Sequence, residues 1–232
     1  MRRGSLRVGT SVIVEQTYPA PLFGTALADT WDEAWKGIGR HPPPGLRQNV
    51  QAAWSEEQRH YHDLRHLGEC MALWQRWQDQ ALHAGEVALA LWFHDAVYDP
   101  QGGDNELKSA SWAARSLSAA GADDEVAQRV FELIITTRHG EPALVTERDD
   151  AALLLDIDLA ILGSPSERFE GYSQDIRNEY AWVPGRLYRN KRIAVLQGFA
   201  ARKRIYQTAP AAELLEAQAK KNLESAIYRL NE

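Results

Sequence analysis

The sequence LALWFHDAVYDP, residues 89–100, joins an apolar run to an adjacent imidazole and carboxylate, His94 and Asp95. A helix that is apolar on all sides belongs in the centre of a protein, so the pattern predicts these two groups at the end of a buried helix. Burying a charge without compensation is costly, so the pair needs a partner. A divalent cation would satisfy both, because imidazole and carboxylate together suit Zn, Fe, Mn or Co. A helix-terminal Asp beside a His bonded to a backbone carbonyl is the other interpretation of the dipeptide.

Composition and charge narrow the class of protein. The chain has 232 residues, 44% hydrophobic and 25% charged, which is ordinary for a soluble globular protein. Its net charge of −6 argues against nucleic acid as a general partner. The single cysteine, Cys70, allows no disulfide within the chain and indicates a reducing compartment.

The hydrophobic stretches are too short for a membrane protein. None approaches the roughly 20 apolar residues of a membrane span, and Arg2 and Arg3 are not followed by the apolar core of a secretory signal. We therefore expect a cytoplasmic protein without a membrane partner. The sequence leaves the oligomeric state open.

Helical periodicity and helix-end signals predict an all-α protein of about eight or nine helices. Residues 1–27 lack a helical period and contain Pro19 and Pro21, so we expect a flexible tail before a single helical domain at residues 28–232. The run PPPG at residues 42–45 predicts a rigid connection. The predicted helices span approximately residues 31–38, 63–77, 83–97, 104–120, 124–138, 147–162, 165–182, 187–206 and 212–230.

Two further stretches carry groups that could join the His-Asp pair. In RHYHDLRH, residues 59–66, Asp63 is the predicted N-cap of a helix, with His66 in its first turn and His62 just before it. In LLLDIDLAIL, residues 153–162, Asp156 and Asp158 interrupt an aliphatic run where a carboxylate needs a partner. One of the two could complete a set of two imidazoles and two carboxylates, which suits a catalytic divalent ion with positions open to water.

This order of groups resembles the H…HD…D pattern of the HD-domain superfamily of metal-dependent phosphohydrolases, which are all-helical. Over about residues 28–230 the chain also resembles a bacterial subfamily of predicted HD phosphohydrolases. The segments that carry the likeness are RHYHDLRH at 59–66, WFHDAVYDP at 92–100, DNE at 104–106 with SA at 109–110, LDIDLAILG at 155–163 and RKRIY at 202–206. The resemblance implies an HD-type helical bundle and a metal-binding hydrolase.

The resemblance also implies the metal ligands. His66, His94 and Asp95 match the first three positions of the pattern. The last ligand of the superfamily tends to be the Asp directly before a Leu or Arg, which favours Asp158 over Asp156. The implied cofactor is a divalent metal ion, with Mn, Mg, Fe, Co and Zn all open.

A proton donor is implied by a second likeness. Tyr61, His62 and Asp63, followed by His66, resemble the Tyr-His-Asn…His segment of cyclic-nucleotide phosphodiesterases, in which the first His is the general acid and the second a ligand. His62 is therefore a predicted catalytic acid, and a hydrogen bond at the helix entry is its other interpretation. Asp63 stands where those enzymes have Asn, which weakens any inference of cyclic-nucleotide specificity.

Other polar residues are candidates for the pocket. Glu106 follows the loop that begins at His94 and Asp95, which we call the HD loop, and is predicted to contact the reacting water or a second ion, whereas Asp104 is a good N-cap. Arg59 and His139 are predicted to bind substrate. Charge runs usually form solvated faces, so three other basic residues are weaker candidates for neutralising phosphate: Lys108, Arg192 and Arg202.

The function expected from these patterns is hydrolysis of a phosphomonoester or phosphodiester of a small metabolite, a nucleotide before others, by a metal-activated water. A non-catalytic helical module that binds a nucleotide or a partner, with a structural metal, is the alternative. A structural site would be coordinatively closed. A di-iron oxygenase is disfavoured, because only His139 lies between the HD pair and the last Asp.

Overall fold

Ten α-helices and no strand form the regular structure of residues 17–138 and 149–232, the residues that this computed structural model describes. The prediction of an all-α protein is confirmed. The helices pack as one bundle, with short 3₁₀ turns at Gln78–Gln80 and Leu159–Gly163. Their bounds are α1 Gly24–Gly37, α2 Leu46–Ala53, α3 Leu64–Trp77, α4 Ala84–Phe93, α5 Asn105–Ala119, α6 Asp124–Thr136, α7 Asp150–Asp158, α8 Ser166–Glu179, α9 Gly185–Ala200 and α10 Ala209–Asn231.

The helix that raises the count above the predicted eight or nine is α2. It begins directly after Gly45, whose φ of 77° lies in the left-handed region that glycine tolerates. Within this eight-residue helix only Leu46 and Val50 are buried. Two apolar positions are too few to reveal a helical period in the sequence, and this is why the pattern left the segment inside a connection.

The central helix is α4, as the apolar run predicts. Every residue from Gly85 to Phe93 is buried, because α4 contacts α1, α3, α5, α6 and α7. The crossing with α1 is close: a Cβ atom on Gly85 would lie 2.8 Å from the carbonyl oxygen of Ala34. The absence of a side chain at position 85 therefore lets α4 pack closely against α1, and this places the C-terminal end of α4, with His94 and Asp95, inside the bundle.

A second close contact holds the end of α7 in place. Gly163, in the turn after α7, packs against Leu215 of α10, and a Cβ atom at position 163 would lie 2.7 Å from the Leu215 carbonyl oxygen. The carboxylate of Asp156 accepts hydrogen bonds from the backbone N–H groups of Gln207 (2.8 Å) and Thr208 (2.7 Å), just before α10. These contacts fix the direction in which Asp158 leaves the last turn of α7.

The N-terminal boundary differs in detail from the prediction. Helix α1 begins at Gly24, four residues before the expected start of the helical domain at residue 28. Just before it, the backbone N–H of Leu22 donates to the carbonyl of Gly68 at 3.1 Å, so this part of the chain lies along α3. Among the described residues, every helix falls short of the length and apolarity required to cross a membrane.

Candidate metal centre

Four side chains from three helices meet at one point inside the bundle. Each offers one ligand atom, and these atoms all lie within 4.8 Å of one another. We call this group the His/Asp cluster: His66, His94, Asp95 and Asp158.

Helix ends bring the cluster together. The side chain of Asp63 accepts hydrogen bonds from the N–H groups of Arg65 (2.9 Å) and His66 (3.2 Å), which is the predicted N-cap and places His66 in the first turn of α3. His94 and Asp95 follow the last turn of α4, and Asp158 is the last residue of α7. All four residues thus lie at or next to a helix end. A polar side chain at a helix end can point into the bundle without interrupting the apolar face in the middle of the helix.

The separations match those of atoms that share one cation. The two Nε2 atoms, of His66 and His94, are 3.3 Å apart. Asp158 Oδ1 lies 3.3 Å from His66 Nε2 and 3.4 Å from His94 Nε2, and Asp95 Oδ2 lies 3.1 Å from His94 Nε2. Ligand atoms about 2.1 Å from a cation are roughly 3.0 Å apart at right angles and roughly 3.4 Å apart in a tetrahedron. The donor set therefore fits a divalent metal ion.

Second contacts orient both imidazoles. His94 Nδ1 lies 2.8 Å from the carbonyl oxygen of Leu91, an acceptor that requires the proton on Nδ1. His66 Nδ1 lies 3.1 Å from the hydroxyl of Tyr61. In both residues Nε2 faces the cluster, and a ring with its proton on Nδ1 offers the Nε2 lone pair to a cation. Metal-ligating histidines are commonly held in this way by a carbonyl or hydroxyl on the other nitrogen.

The charges in the cluster are strongly interdependent. Burial alone would raise the pKa of Asp158, but hydrogen bonds with His66 and His94 lower this pKa well below its ordinary value. Burial would likewise lower the pKa of His94, yet the neighbouring Asp95 and Asp158 raise this pKa well above its ordinary value. The buried carboxylate of Asp158 and the half-buried one of Asp95 thus require positive charge at this point, from protons on the rings or from a cation in their place.

Asp156 and Asp158, both candidates for the last ligand, have different roles. Asp156 is turned away from the cluster: besides the two amides before α10, it accepts from the hydroxyl of Thr208 at 2.7 Å. It is therefore a capping group for the loop before α10. Asp158 is the one that lies against both imidazoles.

His62 lies beside the cluster as part of a second polar group. Its Nδ1 is 2.7 Å from Oε2 of Glu179, and its ring stacks on Tyr98 with centroids 4.1 Å apart. Burial would lower the pKa of His62, but the hydrogen bond with Glu179 and the charge of Asp95 raise this pKa above its ordinary value. With Nδ1 bonded to a carboxylate, Nε2 is the nitrogen available to a ligand in the cavity.

Glu179 organises the turn that enters α3. Its Oε1 accepts from the backbone N–H groups of His60 (3.0 Å), Tyr61 (2.8 Å) and His62 (2.9 Å), and its Oε2 also accepts from the hydroxyl of Tyr98 at 2.8 Å. Burial would raise the pKa of Glu179, but the bonds with His62 lower it from 4.5 to about 2. The sequence analysis missed this residue, because nothing in the α8 sequence distinguishes a Glu that faces inward from one that faces solvent.

The structure does not support the predicted contact between Arg59 and substrate. The guanidinium is buried beneath the HD loop, where it donates to the carbonyls of His62 (2.9 Å), Asp95 (2.7 Å) and Ala96 (3.1 Å) and pairs with Glu56. It does not line the cavity described below. Arg59 instead positions the cluster, because it ties the entry of α3 to the loop that carries Asp95.

The remaining predicted residues fall in different places. Glu106, in the first turn of α5, lines the cavity and lies 3.8 Å from Arg138, but it is not among the four residues of the cluster. His139, the other predicted substrate contact, lies outside the described residues.

A cavity of about 620 Å³ opens onto the cluster. His94, Asp95 and Asp158 form its polar floor, together with His62. The walls are mostly apolar and aromatic and come largely from the turn after α7, from α8 and from α9; they include Ile161, Leu162, Tyr172, Ile176, Tyr180, Val183, Tyr188, Val195 and Phe199. A pocket of this size and composition can hold a small organic molecule with its polar end at the cluster.

Comparison of the chain with protein-family profiles, with curated proteins and with solved structures found no match. The HD resemblance accordingly rests on the quoted sequence segments.

Proposed function

We propose that the protein is a metal-dependent phosphohydrolase of the HD type, which hydrolyses a phosphate ester of a small metabolite, a nucleotide being the first substrate to test. The observation that carries the proposal is the convergence of two imidazoles and two carboxylates at the floor of a cavity of about 620 Å³. A cation held there would supply a Lewis acid that activates water near neutral pH and offsets phosphate charge.

The protein's own groups have separable tasks in this proposal. His62, with Nδ1 held by Glu179 and a raised pKa, keeps a proton on Nε2 that it can give to the oxygen that leaves phosphorus. Tyr61 and Leu91 fix the rings of His66 and His94 so that no side-chain reorganisation is required when the cation binds. The apolar walls bind the organic part of the substrate and exclude bulk water.

The alternative of a non-catalytic module with a structural metal fits this geometry less well. A structural site is closed by its ligands and surrounded by protein. Here three of the four residues of the cluster face a cavity, and a group suited to proton transfer lies beside them. That arrangement favours catalysis.

The test is elemental analysis of the purified protein, followed by phosphate release from nucleotides, sugar phosphates and phosphodiesters in the presence of Mn²⁺. The variant His94→Ala should lose bound metal and phosphate release while it keeps its helical content by circular dichroism. His83→Ala is the matched control, because His83 precedes the same helix and contacts Asp150 at 3.0 Å, away from the cluster. Equal turnover by wild type and His94→Ala would refute the proposal.

A further inference from the structure

Helix α9 presents one face to the cavity. Tyr188, Arg192, Val195 and Phe199 line the cavity at spacings of four, three and four residues, which places them on one side of a helix. Only Leu196 of the whole helix is buried. Leu196 belongs to the hydrophobic core, and Tyr188 and Phe199 pack against it, so α9 covers the core and forms a wall of the cavity.

Arg192 has an unsatisfied donor on this face. Its Nη2 atom is buried and has no hydrogen-bond partner among residues 17–138 and 149–232. Other partly buried arginines are paired with carboxylates. Arg168 donates twice to Glu69 (2.6 and 2.9 Å), which leaves its Nη1 without a hydrogen-bond partner in the described part of the chain, and Arg129 donates twice to Glu86 (2.8 and 2.7 Å). Removing a charged donor from water without giving it an acceptor costs free energy. The unpaired Nη2 atom of Arg192 therefore indicates a ligand that supplies the acceptor.

The guanidinium is held near the cluster by a series of rings. Its Cζ atom lies 5.0 Å from the ring centroid of Tyr172. The Tyr172 ring is 4.5 Å from that of Tyr61, which in turn is 4.7 Å from the ring of His66. Arg192 also has a hydrogen bond with the Tyr172 side chain, so Nη2 is the donor that remains available to a ligand. Arg192 and the His/Asp cluster therefore border the same cavity, two tyrosine rings apart.

We propose that Arg192 is an anion-binding residue, which binds a phosphate oxygen of a ligand in this cavity. The planar fork of a guanidinium matches two oxygens of a phosphate, and a charge-assisted bond of this kind is strongest where water is excluded. The choice of phosphate as the anion rests on the proposed function. Because the cavity walls are largely apolar and rich in tyrosine, we expect the ligand to be an organic phosphate ester. Its apolar part would lie against Ile176 and Val183.

The experiment measures binding of inorganic phosphate to the full chain after metal removal with a chelator, by isothermal titration and by ³¹P line broadening. Arg192→Met should weaken phosphate binding by about tenfold or more, with Arg192→Lys in between. Arg189→Met is the matched control on α9, because Arg189 is exposed and does not line the cavity. It should bind phosphate like wild type. Circular dichroism and the thermal midpoint verify the fold of each variant.

Equal phosphate affinity in wild type, Arg192→Met and Arg192→Lys would overturn the assignment, and so would the absence of phosphate binding in chelated wild type. The variant His94→Ala separates this inference from the proposed function. Loss of phosphate affinity in Arg192→Met but not in chelated His94→Ala supports an anion site at Arg192, whether or not the protein hydrolyses phosphate esters. The opposite outcome is also distinguishable. If wild type releases phosphate from an ester and Arg192→Met binds phosphate as tightly as wild type does, the proposed function holds and the anion site is wrong.

Discussion

Single residues decide whether a carboxylate in this protein joins the His/Asp cluster or fixes the backbone. Asp156 and Asp158 are two residues apart on α7, both buried, yet one caps the loop before α10 and the other contacts His66 and His94. The difference follows from the 100° turn between successive helical residues, which sends residues two apart to different sides of the helix. The pair therefore offers a matched experiment.

Changing a residue that is hydrogen-bonded to a metal ligand typically lowers metal affinity by about 10–100-fold. We expect a larger loss of metal affinity in Asp158→Asn, because Asp158 is itself a predicted ligand. Asp156→Asn should retain the metal and instead lower the free energy of unfolding by about 1–3 kcal/mol, because buried amides lose a charged acceptor. Metal titration and urea unfolding of both variants measure the two effects. Retention of metal by Asp158→Asn together with its loss in Asp156→Asn would reverse the assignment.

His62 is predicted to act on the substrate and not on the cation. His62→Gln should keep its metal, and turnover should fall by about 10²–10⁴-fold, the usual contribution of a positioned proton donor. Metal content and the turnover number of the same preparation provide the comparison. Loss of metal would make His62 a ligand, whereas unchanged turnover would leave it only the hydrogen bond at the helix entry.

At the scale of helices, the buried carboxylate of Glu179 joins the end of α8 to the turn before α3. It accepts three backbone N–H groups from that turn and a bond from His62, and its pKa falls from 4.5 to about 2 as a result. A pKa lowered in the folded state stabilises the fold above pH 4.5, and this stabilisation disappears as the pH falls towards 2. The bond that orients the predicted proton donor is thus also a pH-dependent tie between two helices.

The prediction for Glu179→Gln concerns the pH dependence of stability. At pH 7 the variant should unfold with a free energy about 3 kcal/mol smaller than that of wild type, and near pH 3 the difference should fall to about half of this value. Urea unfolding of both proteins at both pH values measures this difference in the free energy of unfolding. The other carboxylates contribute equally to the two proteins, so their effect cancels. A gap between the two proteins that is the same at pH 7 and pH 3 would contradict the role of the charge.

At the scale of the whole molecule, the His/Asp cluster exists only when α3, α4 and α7 are packed together. The unfolded chain holds its four ligands far apart, so a cation that binds them stabilises the folded state alone. The same reasoning makes thermal stability a measure of the cluster that is independent of turnover.

With Mn²⁺ or Zn²⁺ at about 100 times its dissociation constant, the fold should gain about 2.7 kcal/mol, and the thermal midpoint should rise by about 5–10 °C. A chelator should reverse the rise, and His94→Ala should show none. Calorimetric scans with and without metal make the comparison. A midpoint that does not respond to any divalent cation would refute metal binding at the cluster.

Much of the architecture follows from local sequence. The apolar run before His94 specifies a central helix because no solvent-facing side is left to it, and Asp63 specifies a helix start because its carboxylate meets the free amides of the first turn. Because these signals act within a few residues, the sequence alone predicts the helices that they specify. The exception is α2, whose two buried residues are too few to form a pattern.

Local sequence patterns specify an all-helical chain, the position of His94 and Asp95 at the end of the central helix, and residue types suited to a cation. The packing of distant helices sets the rest: Asp158 and not Asp156 faces the imidazoles, Arg59 lies beneath the HD loop, and Glu179 holds His62. Helix periodicity and capping act over only one or two turns. The partner of a buried charge is instead set by how distant helices pack, which no local pattern records.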